Sequence, residues 1–109
     1  MGCKQTGDAS KKPLINVITE ICESWGYDNR VQLVMDFIIK PLKEAGNNVK
    51  STFKPMKGGK GEFYIWKVLD KEKKIIFSND KTLHPDAVAY GLNVGAKNCT
   101  AICDALKDN

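Results

Sequence analysis

The chain has 109 residues, 42% of them hydrophobic and 28% charged, and a net charge of +4. That length suits one compact domain and excludes two, and no apolar run approaches the roughly 20 residues that span a bilayer. Lysine supplies nearly all the positive charge, Arg30 being the only arginine; nucleic-acid readers favour arginine for base contacts, so this balance argues against a nucleic-acid partner.

Four cysteines, Cys3, Cys22, Cys99 and Cys103, form no CxxC pair, and the single histidine, His84, is not spaced with them. A common zinc pattern is thereby excluded. The first dozen residues are polar and lack the apolar core of a secretory signal. A cytosolic setting is therefore expected, in which structural disulfides are rare.

Residues 1–12 show no periodicity and read as a flexible tail ahead of a domain at 13–109. Met1-Gly2-Cys3-Lys4-Gln5-Thr6 fits the acylation pattern M-G-x-x-x-[ST]. Gly2 is then a myristoylation site, and Cys3 beside it a palmitoylation site. Two chains are expected because one myristoyl group binds a bilayer only marginally. Lys4, Lys11 and Lys12 add attraction to an anionic leaflet. The expected location is the cytosolic face of a membrane.

Leu14 to Ile21 is apolar and β-branched and predicts a central strand. Asp28 to about Ala45 predicts a helix, with Val31, Val34, Ile38, Leu42 and Ala45 at three- and four-residue intervals. Pro41 should kink or end it, and Gly46-Asn47-Asn48 should stop it. Val49 to Phe53 predicts a second strand. Lys54 to Lys60 reads as a loop; it lacks the spacing of a P-loop. Glu62 to Leu69 and Lys74 to Ser78 predict a hairpin about Asp70-Lys71-Glu72-Lys73. His84-Pro85 should introduce a final helix over roughly Asp86 to Lys107. On it Leu92, Ala96, Cys99, Cys103 and Leu106 form one core-facing stripe.

The order β-α-β-β-β-α implies a parallel crossover followed by an antiparallel hairpin. The expected fold class is α/β, a two-layer sandwich with helices packed on a four-stranded mixed sheet. It is the minimal thioredoxin-like order.

Cys22-Glu23-Ser24-Trp25-Gly26-Tyr27 follows the first strand. This run resembles the C-x-x-U or C-x-x-C segment, often followed by Gly-Tyr, of the selenoprotein W (Rdx) family of thioredoxin-like proteins. Gly61-Glu62-Phe63-Tyr64-Ile65 is similar to that family's Gly-x-Phe-Glu-Val strand, and Lys74-Ile75-Ile76-Phe77-Ser78 to its Leu-Val-His-Ser strand. Ile102-Cys103-Asp104-Ala105-Leu106 is similar to its closing Ile-x-x-Ala-Leu. The likeness spans about residues 14–107. It implies a thioredoxin-like domain linked to cell redox balance, with glutathione as a possible co-substrate and protein partners. It also implies a reactive thiol at Cys22 and a proline near it, for which Pro55 is the candidate, in cis geometry. No resident cofactor is expected.

Trp25 stands where the family has its second cysteine or selenocysteine. Tryptophan cannot resolve a mixed disulfide, so a dithiol cycle is not expected. Two readings of the segment follow. In one, Cys22 works as a single thiol through a mixed disulfide or glutathionylation; the unpaired N–H groups of a following helix favour its thiolate, and Glu23 opposes it. In the other, Cys22 is a buried small hydrophobe, and Trp25 and Tyr27 hold a protein partner at the membrane. Pro55 joins them as a candidate contact residue.

Overall fold

The computed structural model describes residues 13–108. Gly2 and Cys3, the expected lipidation sites, lie outside the described residues. In chain order the elements are β1 (Leu14–Cys22), α1 (Tyr27–Val34), a π-helical turn (Met35–Ile39), α2 (Lys40–Glu44), β2 (Asn48–Met56), β3 (Phe63–Val68), β4 (Lys73–Ser78), β5 (Ala89–Tyr90) and α3 (Cys99–Lys107). They form an α/β fold around one five-stranded mixed sheet of order β2-β1-β3-β4-β5.

The register explains the centre of the sheet. β1 pairs in parallel with β2, Leu14 opposite Asn48 through Cys22 opposite Met56. On its other side it pairs antiparallel with β3, Ile18 opposite Trp66. Strand side chains alternate between faces. Ile15, Val17, Thr19 and Ile21 are buried on one face. Ile15, Val17 and Ile21 join a core with Val34, Ile38, Ile39 and Leu42 from the first helical layer and Ile102 and Leu106 from α3. Phe63 and Phe77 meet edge to face in that core, ring centroids 5.1 Å apart.

Two elements depart from the sequence pattern. The long final helix is only Cys99–Lys107, and the segment before it holds a fifth strand, Ala89–Tyr90, parallel to β4. Gly91 and Gly95 weaken helical continuity there, and Val88 N–H and the short Phe77–Ala89 ladder bind this segment to β4 instead. Leu92 consequently leaves the expected stripe and is 79% exposed. His84-Pro85 introduces β5 rather than a helix. The second departure is β2, which runs on to Met56 and so absorbs part of the expected loop. β2 is an edge strand, where Pro55 is tolerated because no ladder bond on the open side needs its missing N–H.

The first helical layer continues through Pro41 with a local change of winding. Lys40 N–H bonds to Met35 O, five residues back. Pro41 has no N–H for the carbonyl of Phe37. Cys103 Sγ of α3 reaches that carbonyl, at 3.7 Å. The loss of one donor to proline is thus partly made good by a thiol from another element.

Candidate functional site

The end of β1 is fixed by backbone bonds to both neighbours. Cys22 N–H donates to Glu62 O (2.7 Å) and Glu23 N–H to Met56 O (3.0 Å). Trp25 N–H returns to Cys22 O (3.3 Å), closing a tight turn. Gly26 follows in the left-handed region (φ 62°), which glycine adopts without a Cβ penalty. Its carbonyl receives Arg30 N–H at 2.9 Å, the opening bond of α1.

These bonds put Cys22 and Trp25 in opposite environments. Cys22 has no solvent-exposed surface, whereas Trp25 is 59% exposed. Trp25 lies over Gly61, so a Cβ on Gly61 would stand 3.4 Å from the indole. Gly61 itself has φ 71°. That left-handed backbone favours glycine there.

Arg30 holds the surrounding loops together. It is buried, and each of its three guanidinium nitrogens donates a hydrogen bond. Nε donates to Asn93 Oδ1 (3.0 Å), Nη1 to Gly61 O (3.1 Å) and Nη2 to Leu92 O (3.0 Å). The Phe63 ring lies under it at 4.9 Å. Asn79 Nδ2 also donates to Gly61 O (2.5 Å), and Asn79 Oδ1 accepts Phe63 N–H (3.2 Å). One carbonyl, that of Gly61, therefore ties α1 and the loop after β4 to the loop before β3. Burial lowers the pKa of Arg30, and Cys22 acts in the opposite direction. Arginine keeps its proton in proteins regardless.

The other candidate residues divide. Tyr27 is half-buried and packs against the core. Pro55 is exposed and lies opposite Ile21, one position from the Cys22–Met56 pair. The fold thus brings Pro55 beside the end of β1. Its peptide bond is trans, since the described residues contain no cis peptide; the expected cis geometry is corrected. A nine-residue parallel ladder carries β2 straight through this position, and no reversal of the chain is required.

Cys99 and Cys103 are half-buried on α3 and pack against the core. The Cys103 thiol is pushed up in pKa, chiefly by burial, then by Cys99 and Asp104 against an opposing Lys107. His84 bonds through Nδ1 to Ser78 Oγ (2.9 Å) and sits edge-on to Tyr64 and Trp66. Among the described residues no cluster of three or more His, Cys, Asp or Glu is arranged to hold a metal, and no helix is long and apolar enough to cross a membrane.

Among the described residues, three exposed large apolar side chains, Trp25, Leu83 and Leu92, lie on loops at this end of the sheet, whereas Leu14 and Leu69 lie at the other end. Trp25 covers Gly61, and Leu92, whose carbonyl shares the Arg30 guanidinium with Gly61, adds a second large apolar side chain. Leu83, 59% exposed, follows Asn79 and Asp80 on the adjoining loop. The lone arginine was the available sequence signal for this centre. The roles of Gly61, Asn79 and Asn93 had none, because their partners lie 16 to 63 residues away.

Against known proteins, the chain matches no family model, no curated protein and no solved structure.

Proposed function

We propose that this protein is a membrane-tethered, thioredoxin-like adaptor that binds a protein partner through the loop cluster around Trp25. One observation carries the reading. Cys22 is without solvent exposure while Trp25, three residues on, is mostly exposed. A thiol must meet its target to react, whereas an exposed indole backed by ordered loops suits an interface anchor. Leu92 and Leu83 extend the apolar surface, and Arg30 holds it in shape without reorganisation on binding. The thioredoxin-like reading is supported by the parallel β1–helix–β2 unit followed by the β3–β4 hairpin. The lipid anchor rests on Gly2 and Cys3 in the sequence.

The monothiol reading has one observation in its favour: Cys22 stands at the end of β1, ahead of the turn into α1. In that chemistry the Cys22 thiolate attacks the disulfide of oxidised glutathione. A new Cys22–glutathione bond forms and glutathione thiolate leaves. It requires the loop cluster to open. Trp25 offers no second sulfur, so a purified protein reduced only by thioredoxin reductase should not turn over insulin disulfides.

A photoreactive amino acid at Leu92 separates the two readings in cells. The adaptor reading predicts a discrete crosslinked partner that persists in Cys22→Ser and disappears in Trp25→Ala. Loss in Cys22→Ser with persistence in Trp25→Ala would instead select the thiol. Labelling with a myristate analogue, absent in Gly2→Ala, tests the anchor.

A further inference from the structure

Among the described residues, no helix covers the second face of the sheet. Its rows follow from the register. Lys50, Asn16, Val68 and Lys73 form one row; Thr52, Ile18, Trp66 and Ile75 the next; Lys54, Glu20, Tyr64 and Ser78 the third. Contacts across the rows agree with this placement. Trp66 Nε1–H donates to Glu20 Oε1 (2.7 Å), and Lys73 Nζ stands 4.4 Å from the Trp66 ring centroid. The loop carrying His84 and Ala87 covers the Tyr64–Ile75 corner. The remainder, with Leu14 53% exposed and Ile18, Trp66 and Val68 half-buried, faces outward.

Exposed charge on this face is mostly positive. Lys50, Lys54 and Lys73 stand at its margins; of its carboxylates, Glu20 is engaged by the Trp66 indole and Glu62 is buried and accepts the Lys60 N–H. The layer from α1 to α2 is balanced instead, with Asp28, Asp36 and Glu44 beside Arg30, Lys40 and Lys43. Lysines around an aromatic and aliphatic centre match an anionic interface, with ammonium groups at the headgroups and the indole at the boundary. Lysine in place of arginine gives point charges without planar base recognition, which favours lipid over nucleic acid.

The course of the chain is consistent with the same occupant. β1 begins at Leu14, on this face, and the preceding residues lead back to Gly2. Twelve peptide steps span at most about 40 Å, so an anchor at Gly2 keeps this face within reach of the bilayer. β1 covers nine residues, or about 30 Å, and Trp25 follows its far end.

We infer that the helix-free face of the sheet, through Lys50, Lys54, Lys73, Trp66 and Leu14, docks on an anionic lipid bilayer. It takes from the proposed function only that the protein works at a membrane. The docking is electrostatic and does not require the acyl chains.

The test uses full-length, unacylated Gly2→Ala protein and phosphatidylcholine vesicles with or without phosphatidylserine. Co-sedimentation should require phosphatidylserine and be lost at high salt. Lys50→Glu/Lys54→Glu/Lys73→Glu should bind at least about tenfold more weakly. Lys40→Glu/Lys43→Glu, on the helical layer, should bind within about twofold of the parent. If the triple variant does not fold, lysine acetylation of the parent on vesicles decides: Lys50, Lys54 and Lys73 should be protected and Lys40 and Lys43 not. Equal binding to neutral vesicles, equal loss in both variants, or protection of Lys40 and Lys43 alone overturns the inference. Binding to a single-stranded RNA oligomer but not to vesicles overturns it in favour of nucleic acid. Failure here with normal myristate labelling leaves the tether standing, so the two claims are separable.

Discussion

The two thiol-bearing regions of the molecule make an instructive contrast. On α3, Cys99 and Cys103 are half-buried by their own helix's packing on the core. At the end of β1, Cys22 is fully buried at a junction of the first strand with the turn before α1 and the loop before β3. Local periodicity places the first pair. Only long-range closure decides the second. A thiol's accessibility is therefore a property of the segments that meet over it, and Arg30 joins several of those segments.

Removing that junction should give the largest effect. Arg30→Met leaves the Leu92 carbonyl and Asn93 Oδ1 without the guanidinium donors and the Gly61 carbonyl with Asn79 Nδ2 alone. A loss of about 1.5–3 kcal/mol in denaturant unfolding is expected, from the charge-assisted hydrogen bonds removed. Alkylation of Cys22 in that variant should rise more than tenfold while Cys99 changes little. Unchanged Cys22 reactivity would break the contrast.

Trp25→Ala should act on binding rather than on the fold. Partner crosslinking should fall by at least about tenfold, as for a central aromatic anchor, with stability within about 1 kcal/mol of the parent. A large loss of stability would make Trp25 a structural lid. Gly61→Ala should cost about 1 kcal/mol or somewhat more, because alanine resists φ 71° and its Cβ meets the indole. Thermal unfolding checks it; a neutral result would mean that the loop shifts freely under Trp25.

The smallest effect belongs to Cys103. Its thiol pKa is raised in the fold, so its contribution to stability is complete below the ordinary thiol value of about 8.5. Above that pH the unfolded chain releases the proton first, and stability declines until the pH passes the folded pKa. Tyr64, raised by burial and by Glu62, Asp80 and Glu20, acts in the same direction from about pH 10. Cys103→Ala should flatten the alkaline loss between pH 8.5 and 10 in pH-dependent denaturant titrations. An unaltered slope would contradict the assignment.

Much of the architecture was legible locally. The apolar run at β1, the helical spacing from Val31 to Leu42 and the hairpin about residues 69–72 each carry their own period. The segment from Asp86 to Asn98 misled because its apolar spacing mimics a helix. Its glycines and its bonds to Phe77 and Ile76 favour a short strand and turns instead. The site was half legible. Cys22, Trp25 and Pro55 converge at one end of the sheet, as strand order and register require. Burial of Cys22 was not readable, since the Glu62 and Met56 carbonyls that bind the Cys22 and Glu23 N–H groups lie more than thirty residues away. The guanidinium's role was hidden for the same reason: nothing near Arg30 in sequence announces acceptors at 61, 92 and 93.

The central claim is that the loop after β1 presents an indole and conceals a thiol. Alkylation of the native protein near neutral pH, followed residue by residue by mass spectrometry, tests it most directly. Cys22 should react far more slowly than Cys99, at a rate that follows global unfolding as denaturant is added. Modification of Cys22 faster than a model thiol, under conditions that leave the fold intact, would contradict the account and select the monothiol chemistry.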